Sequence, residues 1–222
     1  MEIKGIVFDL DGVICSTDEY HYLAWKKLSD EEGIEFDRSG NERLRGISRA
    51  ESLEIILERS SKKYSNDEKL EMMERKNGYY REYLANMNRY DVSDEVRDTL
   101  NTLRKKGIPI AIGSSSMNTM FILERIGLAD FFDAVSDGTI ITRSKPNPEV
   151  FIKAAGMLRL RNENCLVVED APAGIDAANA GGFISAGIGA ASHYEKTMFK
   201  IGRFNEILSL VTEIPDKNSA QQ

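Results

Sequence analysis

The residues able to do chemistry in this 222-residue chain fall at the ends of apolar runs. Asp9 and Asp11 directly follow the run at 3–8, IKGIVF, and a spacing of two on extended chain directs both carboxylates toward one region. Taken alone, such a pair fits a solvated turn as well as a site. After a second run, IPIAIG at 108–113, the chain reads Ser114-Ser115-Ser116-Met117-Asn118. These hydroxyls and the backbone donors beside them suit a phosphate, and they equally suit the opening of a helix. Lys145 heads a Pro-stiffened loop, Lys145-Pro146-Asn147-Pro148, although an isolated lysine is usually just solvated. Glu169 and Asp170 follow CLVV at 165–168. Their oxygens are the donors Mg²⁺ takes while keeping waters for a phosphate.

Coincidence at four strand ends is a poor explanation, whereas one phosphoryl-transfer site needs all four features. A phosphoryl group in flight carries charge on its equatorial oxygens, which a metal, a lysine and hydroxyl donors together stabilise. One aspartate can then act as nucleophile while the other moves protons.

The elements that must position these residues read as buried strands at 3–8, 108–113, 165–168 and from 183 (FISAGIG). Helical patterns lie between the later ones. Ser93 is an expected N-cap, Val96, Leu100 and Leu103 share one face, and Gly107 stops the helix. Further helices are expected at about 117–126, 148–158 and 172–180. The β-α-β-α order favours a parallel sheet covered on both faces, with ligands at its carboxyl edge. From about 16 to 90 the pattern is helical with no convincing strand, and Ser48 with Glu51 forms a capping box ahead of Leu53, Ile56 and Leu57. The expected architecture is α/β, a Rossmann-like doubly wound parallel sheet spanning 1–15 and 93–222, with a small helical cap domain inserted at 16–92.

Composition narrows the partners. With 29 Lys plus Arg against 36 Asp plus Glu, the net charge is −7, so the averaged field repels a nucleic-acid backbone. No stretch approaches the roughly 20 apolar residues of a membrane span, and the first residues do not form a signal peptide. A cytoplasmic protein without membrane contact is the expectation. Cys15 and Cys165 give neither a disulfide framework nor a zinc spacing and read as free thiols.

Through DLDGV at 9–13, the serine motif at 112–114, Lys145-Pro146 and Glu169-Asp170, the chain resembles the haloacid dehalogenase superfamily of phosphotransferases, and the helical insert resembles the cap of its first subclass. Asp rather than Thr at position 11 is similar to the subgroup with an acid/base aspartate, which disfavours dehalogenation. The segments DGVICSTDEYHYLAW, RLRGISRAES and ERKNGYY further resemble the β-phosphoglucomutase family.

That resemblance implies that Asp9 is phosphorylated, that Asp11 protonates and deprotonates sugar hydroxyls, and that Mg²⁺ is held by Asp9, the Asp11 carbonyl, Glu169 and Asp170. It implies that Ser114, Ser115 and Lys145 bind the transferring phosphate and that Arg49, with Ser116 and Asn118, clamps a distal one. Thr17, His21, Trp25, Gly46, Ser52 and Lys76 then shape the sugar site or close the cap. The implied activity interconverts β-glucose 1-phosphate and glucose 6-phosphate, primed by β-glucose 1,6-bisphosphate, in a monomer whose partners are small sugar phosphates. A sugar-phosphate phosphatase with the same aspartyl-phosphate chemistry is the alternative.

Periodicity alone reads several of these residues more plainly. His21, among Tyr20, Tyr22 and Trp25, is a packing residue on that reading, and Lys76 belongs to a solvated face. Arg45 stands where the resembled family usually has Lys, Met117 stands where a basic residue is common, and the loop after Gly189 is shorter. His193 has no interpretable motif around it.

Overall fold

The structure, a computed structural model, describes residues 2–44 and 47–211. Six strands form one parallel sheet in the order β3-β2-β1-β4-β5-β6: β1 Gly5–Phe8, β2 Ile110–Gly113, β3 Ala134–Ser136, β4 Cys165–Glu169, β5 Ile184–Gly187 and β6 Phe199–Lys200. Strand direction of travel across the sheet reverses between β1 and β4, the switch point at which open α/β sheets leave a crevice for ligands.

Burial on both faces explains the unbroken apolar runs. Ile6, Phe8, Ile110, Ile112, Leu166 and Val168 point to one face. There they pack on Val96, Leu100 and Leu103 of α5 (Asp94–Lys105) and on Ile122 and Leu123 of α6 (Thr119–Arg125). Val7, Ala111, Cys165 and Val167 alternate to the other face and meet α7 (Glu149–Met157) and α8 (Pro172–Ala180). The period of two is the strand signature. Ser93 caps α5, its hydroxyl accepting from Val96 N at 3.2 Å, and Gly107 follows the helix at φ +69°, a conformation glycine adopts without steric cost.

Between β1 and α5 lie α1 (Asp18–Glu31), α2 (Arg38–Glu42), α3 (Arg49–Leu57) and α4 (Asn66–Leu84). They enclose a separate core of Trp25, Leu28, Ile34, Phe36, Leu53, Ile56 and Met72. The Ser48–Glu51 capping box is present at the start of α3. Tyr80 and Leu84, toward the end of α4, pack instead into the core of the sheet, which ties this cap to the α/β unit.

Two strands and α2 go beyond the sequence reading. β3 and β6 are edge strands of three and two residues, too short to show a period. Residues 114–118, expected in part to be helical, form a loop, and α6 begins only at Thr119. Among the described residues no helix is long and apolar enough to cross a membrane.

Candidate active site

The sheet ladder continues one residue past β1, where Asp9 N donates to Val168 O at 2.9 Å. This fixes the Asp9 backbone beside the end of β4, and its side chain is buried. The chain then turns. Gly12 has φ +82°, and a Cβ there would lie 2.2 Å from Asp170 Oδ2, so only glycine lets β1's exit turn pass against Asp170.

Asp9 and Asp11 line the same cleft, as the spacing of two implies, but past the bend at Leu10 and the turn at Gly12 they have different partners. Asp9 faces Lys145, whereas Asp11 accepts from Thr17 N at 2.8 Å and from the Thr17 hydroxyl. Thr17 is fully buried and also accepts from Tyr80 OH at 3.0 Å. It therefore orients Asp11 from behind instead of lining the cleft.

Lys145, 3% exposed, donates to Asp9 Oδ1 and, at 2.6 Å, to Glu169 Oε1. Ala171 N donates to the other Glu169 oxygen at 2.8 Å. Burial opposes the lysine's charge, but Asp9 and Glu169 outweigh it and hold the ammonium above its ordinary range. Burial also pushes Asp9 up to about 6, against the pull of Lys145 and with Glu169 adding to the rise. The Lys145 loop is anchored by Glu149, which accepts from Thr142 N at 3.0 Å and Arg143 N at 2.9 Å. Lys153, with these bonds, holds the Glu149 carboxyl down at about 2.

Carboxylate oxygens of Asp9, Glu169 and Asp170 lie within 4.8 Å of one another. An all-oxygen donor set of that kind fits a hard divalent cation.

The serine loop leaves β2 beneath β3. Ser114 N donates to Ser136 O at 3.0 Å and Gly138 N to Ser116 O at 3.1 Å, so the unexpected edge strand supports the loop. Ser116 Oγ accepts from Asn118 N at 3.1 Å, the helix-opening role weighed above. Ser115 Oγ is buried with no hydrogen-bond partner among the described residues and lines the same cleft as Lys145, so it is a donor awaiting an acceptor.

Across the cleft, Lys76 is 2% exposed and lies 3.0 Å from His21 Nδ1, 4.8 Å from the Trp25 ring centroid and 4.5 Å from that of Tyr80. The other ring nitrogen, Nε2, is 3.6 Å from Asp11 Oδ2. Burial, reinforced by Arg49, holds Lys76 well below its ordinary pKa, although Asp11 acts against this. Burial, then Lys76 and Arg49, do the same to His21. Neither residue belongs to a solvated face or serves packing alone. Trp25 is chiefly a core residue of the cap that shows one edge to the cleft, and Ser52 Oγ donates back to Ser48 O at 2.9 Å.

Of the described residues expected at the site, all line one cleft of about 580 Å³ except Thr17, beneath it. Arg45 and Gly46 lie outside the described residues. Sequence reading missed Asn77 and Arg81. Asn77 Oδ1 accepts from Arg49 Nη2 and from Asn118 Nδ2, both at 2.9 Å, and Arg81 Nη1 donates to Asn118 Oδ1 at 3.1 Å. Their spacing, with Lys76–Tyr80 and Asn77–Arg81 as i,i+4 pairs on α4, is the one available signal.

A buried lysine between carboxylates at the switch point of a parallel sheet, under a helical cap, defines a class of phosphoryl-handling proteins. Residues 3–182 match the haloacid dehalogenase-like hydrolase family, and the chain belongs to it. It is 43% identical over 189 residues to the β-phosphoglucomutase of Bacillus subtilis (strain 168), covering 84% of each chain. The solved structure of a β-phosphoglucomutase from Clostridium difficile superposes with a TM-score of 0.86 at 37% identity, covering 99% of this chain and 96% of that one. A phosphorylated carbohydrates phosphatase of Thermotoga maritima is 26% identical over 183 residues, 81% of this chain and 82% of its own.

Proposed function

We propose that the protein interconverts β-D-glucose 1-phosphate and glucose 6-phosphate through an aspartyl phosphate and a β-glucose 1,6-bisphosphate intermediate. The observation that carries this reading is a second set of anion donors in the cleft. Lys145 serves one end, while Arg49 and Asn118 meet at a place built from other elements, α3 and the start of α6. A substrate phosphorylated at both ends needs two such grips, and a phosphatase of monophosphates does not.

In the forward half-reaction an Asp9 oxygen forms a bond to phosphorus as the bond from phosphorus to the sugar oxygen breaks, and Asp11 gives its proton to that oxygen. In the return, a sugar hydroxyl loses its proton to Asp11 as its oxygen attacks the phosphoaspartate and frees Asp9. Lys145 and the Ser115 hydroxyl hold the phosphoryl oxygens. Thr17 keeps Asp11 oriented from behind. Mg²⁺, which Asp9, Glu169, Asp170 and the Asp11 carbonyl would hold, supplies the charge that offsets phosphate repulsion when bound.

Phosphorus NMR tests the reading, with Mg²⁺, β-glucose 1-phosphate and a trace of β-glucose 1,6-bisphosphate. Glucose 6-phosphate forming without matching free phosphate is the expected result. Prompt free phosphate would replace the mutase with a phosphatase.

A further inference from the structure

The cap arginines Arg38 and Arg43 each meet a glutamate at 2.7 Å, but Arg49, at the cleft, meets the neutral carboxamide of Asn77 at 2.9 Å. The same Asn77 oxygen takes the Asn118 amide at 2.9 Å. Arginine has no acceptor and can meet only the oxygen of an asparagine. Arg49 therefore fixes Asn77 with its oxygen toward the clamp. By the same logic Arg81, 3.1 Å from Asn118 Oδ1 and 4.4 Å from the Phe121 ring centroid, fixes Asn118 with its NH₂ toward the clamp. The two donors expected to grip a distal phosphate thus converge on a single oxygen that belongs to the protein.

We propose that Asn77 is a surrogate acceptor for the distal phosphate: its carboxamide oxygen occupies the seat between Arg49 and Asn118 that a phosphate oxygen takes, so ligand and side chain compete for the same two donors. This rests on the two-phosphate reading of the cleft given above. Asn118 is 4% exposed, and leaving its amide unpaired whenever the site lacks phosphate would cost the desolvation of a buried donor. A neutral acceptor avoids that cost yet yields to a phosphate, whose charge-assisted bonds are stronger. The same exchange serves turnover, because a bisphosphate that must reverse in the cleft leaves its distal grip, and Asn77 takes up the donors as it goes. Arg81 is a positioning residue for Asn118, set on α4 one turn beyond Asn77.

The test is an equilibrium titration with glucose 6-phosphate in Mg²⁺, read by the fluorescence of Trp25, the only tryptophan of the chain and part of the cleft wall. Asn77→Ala removes the competitor and is expected to tighten the apparent Kd about threefold, while Asn77→Asp installs a charged one and is expected to weaken it at least about tenfold. Opposite signs are the signature of competition. Shifts in the same direction would make Asn77 a ligand or a strut and overturn the proposal, as would no shift in either variant or no binding to the wild type. Should either variant fail to fold, Arg81→Met, which releases the Asn118 amide, is expected to weaken Kd about threefold, and an unchanged Kd would count against the arrangement. Failure of the mutase reading shows separately, as free phosphate in the wild-type NMR experiment, and leaves the sign comparison in force.

Discussion

The carboxyl edge of the sheet and the cap face opposite it hold their polar groups by different means. At the edge, Asp9 and Glu169 are fixed by strand register and backbone bonds, and a buried lysine joins them. On the cap side, Asn77, held by Arg49, and Arg81 reach across to Asn118 through side chains alone. The first arrangement suits groups that must not move during bond making. The second suits groups that must take hold of a substrate and release it, as closing caps do.

The largest expected effect separates the two regions by chemistry. Asp9→Asn keeps the size of the side chain and removes the nucleophile, so turnover in the bisphosphate-primed assay should fall by about 10⁴-fold or more, roughly 5.5 kcal/mol in the barrier. A variant retaining a tenth of the wild-type rate would remove Asp9 from that role. Arg49→Lys keeps the charge but loses the fork, and should raise KM much more than it lowers kcat.

Stability should divide the same way. Lys145→Met leaves Asp9 and Glu169 buried together without their cation, and breaking such a pair costs about 3–5 kcal/mol. Arg49→Met loses a bond to a neutral carboxamide and should cost less than about 1 kcal/mol. Urea unfolding in chelator measures both, and similar losses at the two sites would erase the distinction. Added Mg²⁺ should restore part of the Lys145→Met loss by binding the folded state.

How much of each region could be read in advance follows from the same contrast. β1, β2 and β4 were legible because strands buried on both faces read as continuous apolar runs, and chain order then placed Asp9, Lys145 and Glu169 at one edge. β3, with Ala134-Val135-Ser136, and β6, with Phe199-Lys200, are too short to show a period, although β3 props the serine loop. The divergence of Asp11 from Asp9 depends on a turn at Gly12 that the DxD spacing does not encode. Asn77 and Arg81 offered no more than their i,i+4 spacing, because their meaning arises only when α4 is laid across the start of α6. Lys76 was misjudged by periodicity, which assigns a helix face and cannot know that Trp25, His21 and Tyr80 close over it.

That buried lysine makes the cap respond to pH. The folded pKa of Lys76 is depressed, so between that value and the unfolded 10.5 the unfolded state binds more protons and stability rises with pH. His21, also depressed, contributes in the same sense below its ordinary 6.5, where stability falls as pH falls. The histidine's contribution lies around and below its ordinary 6.5, so comparison with a lysine variant at higher pH reads the lysine. Denaturation of wild type and Lys76→Met at several pH values between about 7 and 10 should show a shallower rise for the variant. Equal slopes would mean that Lys76 is not desolvated by the cap.

The smallest effect is confined to the cap. The Ser48 hydroxyl accepts from Glu51 N at 3.2 Å while Ser48 N donates to the Glu51 carboxylate at 3.0 Å, and Arg49 is the first residue of the helix this box secures. Ser48→Ala should cost about 1 kcal/mol, appearing as faster hydrogen exchange in the first turns of α3 with β4 unchanged. Because Arg49 frays with that turn, KM for β-glucose 1-phosphate should rise a few-fold, about the equivalent of the lost cap, while single-turnover transfer from Asp9 is preserved. Exchange that quickens equally in β4 would show cap and sheet opening as one unit, and the division of labour between a fixed edge and a releasable cap would fail.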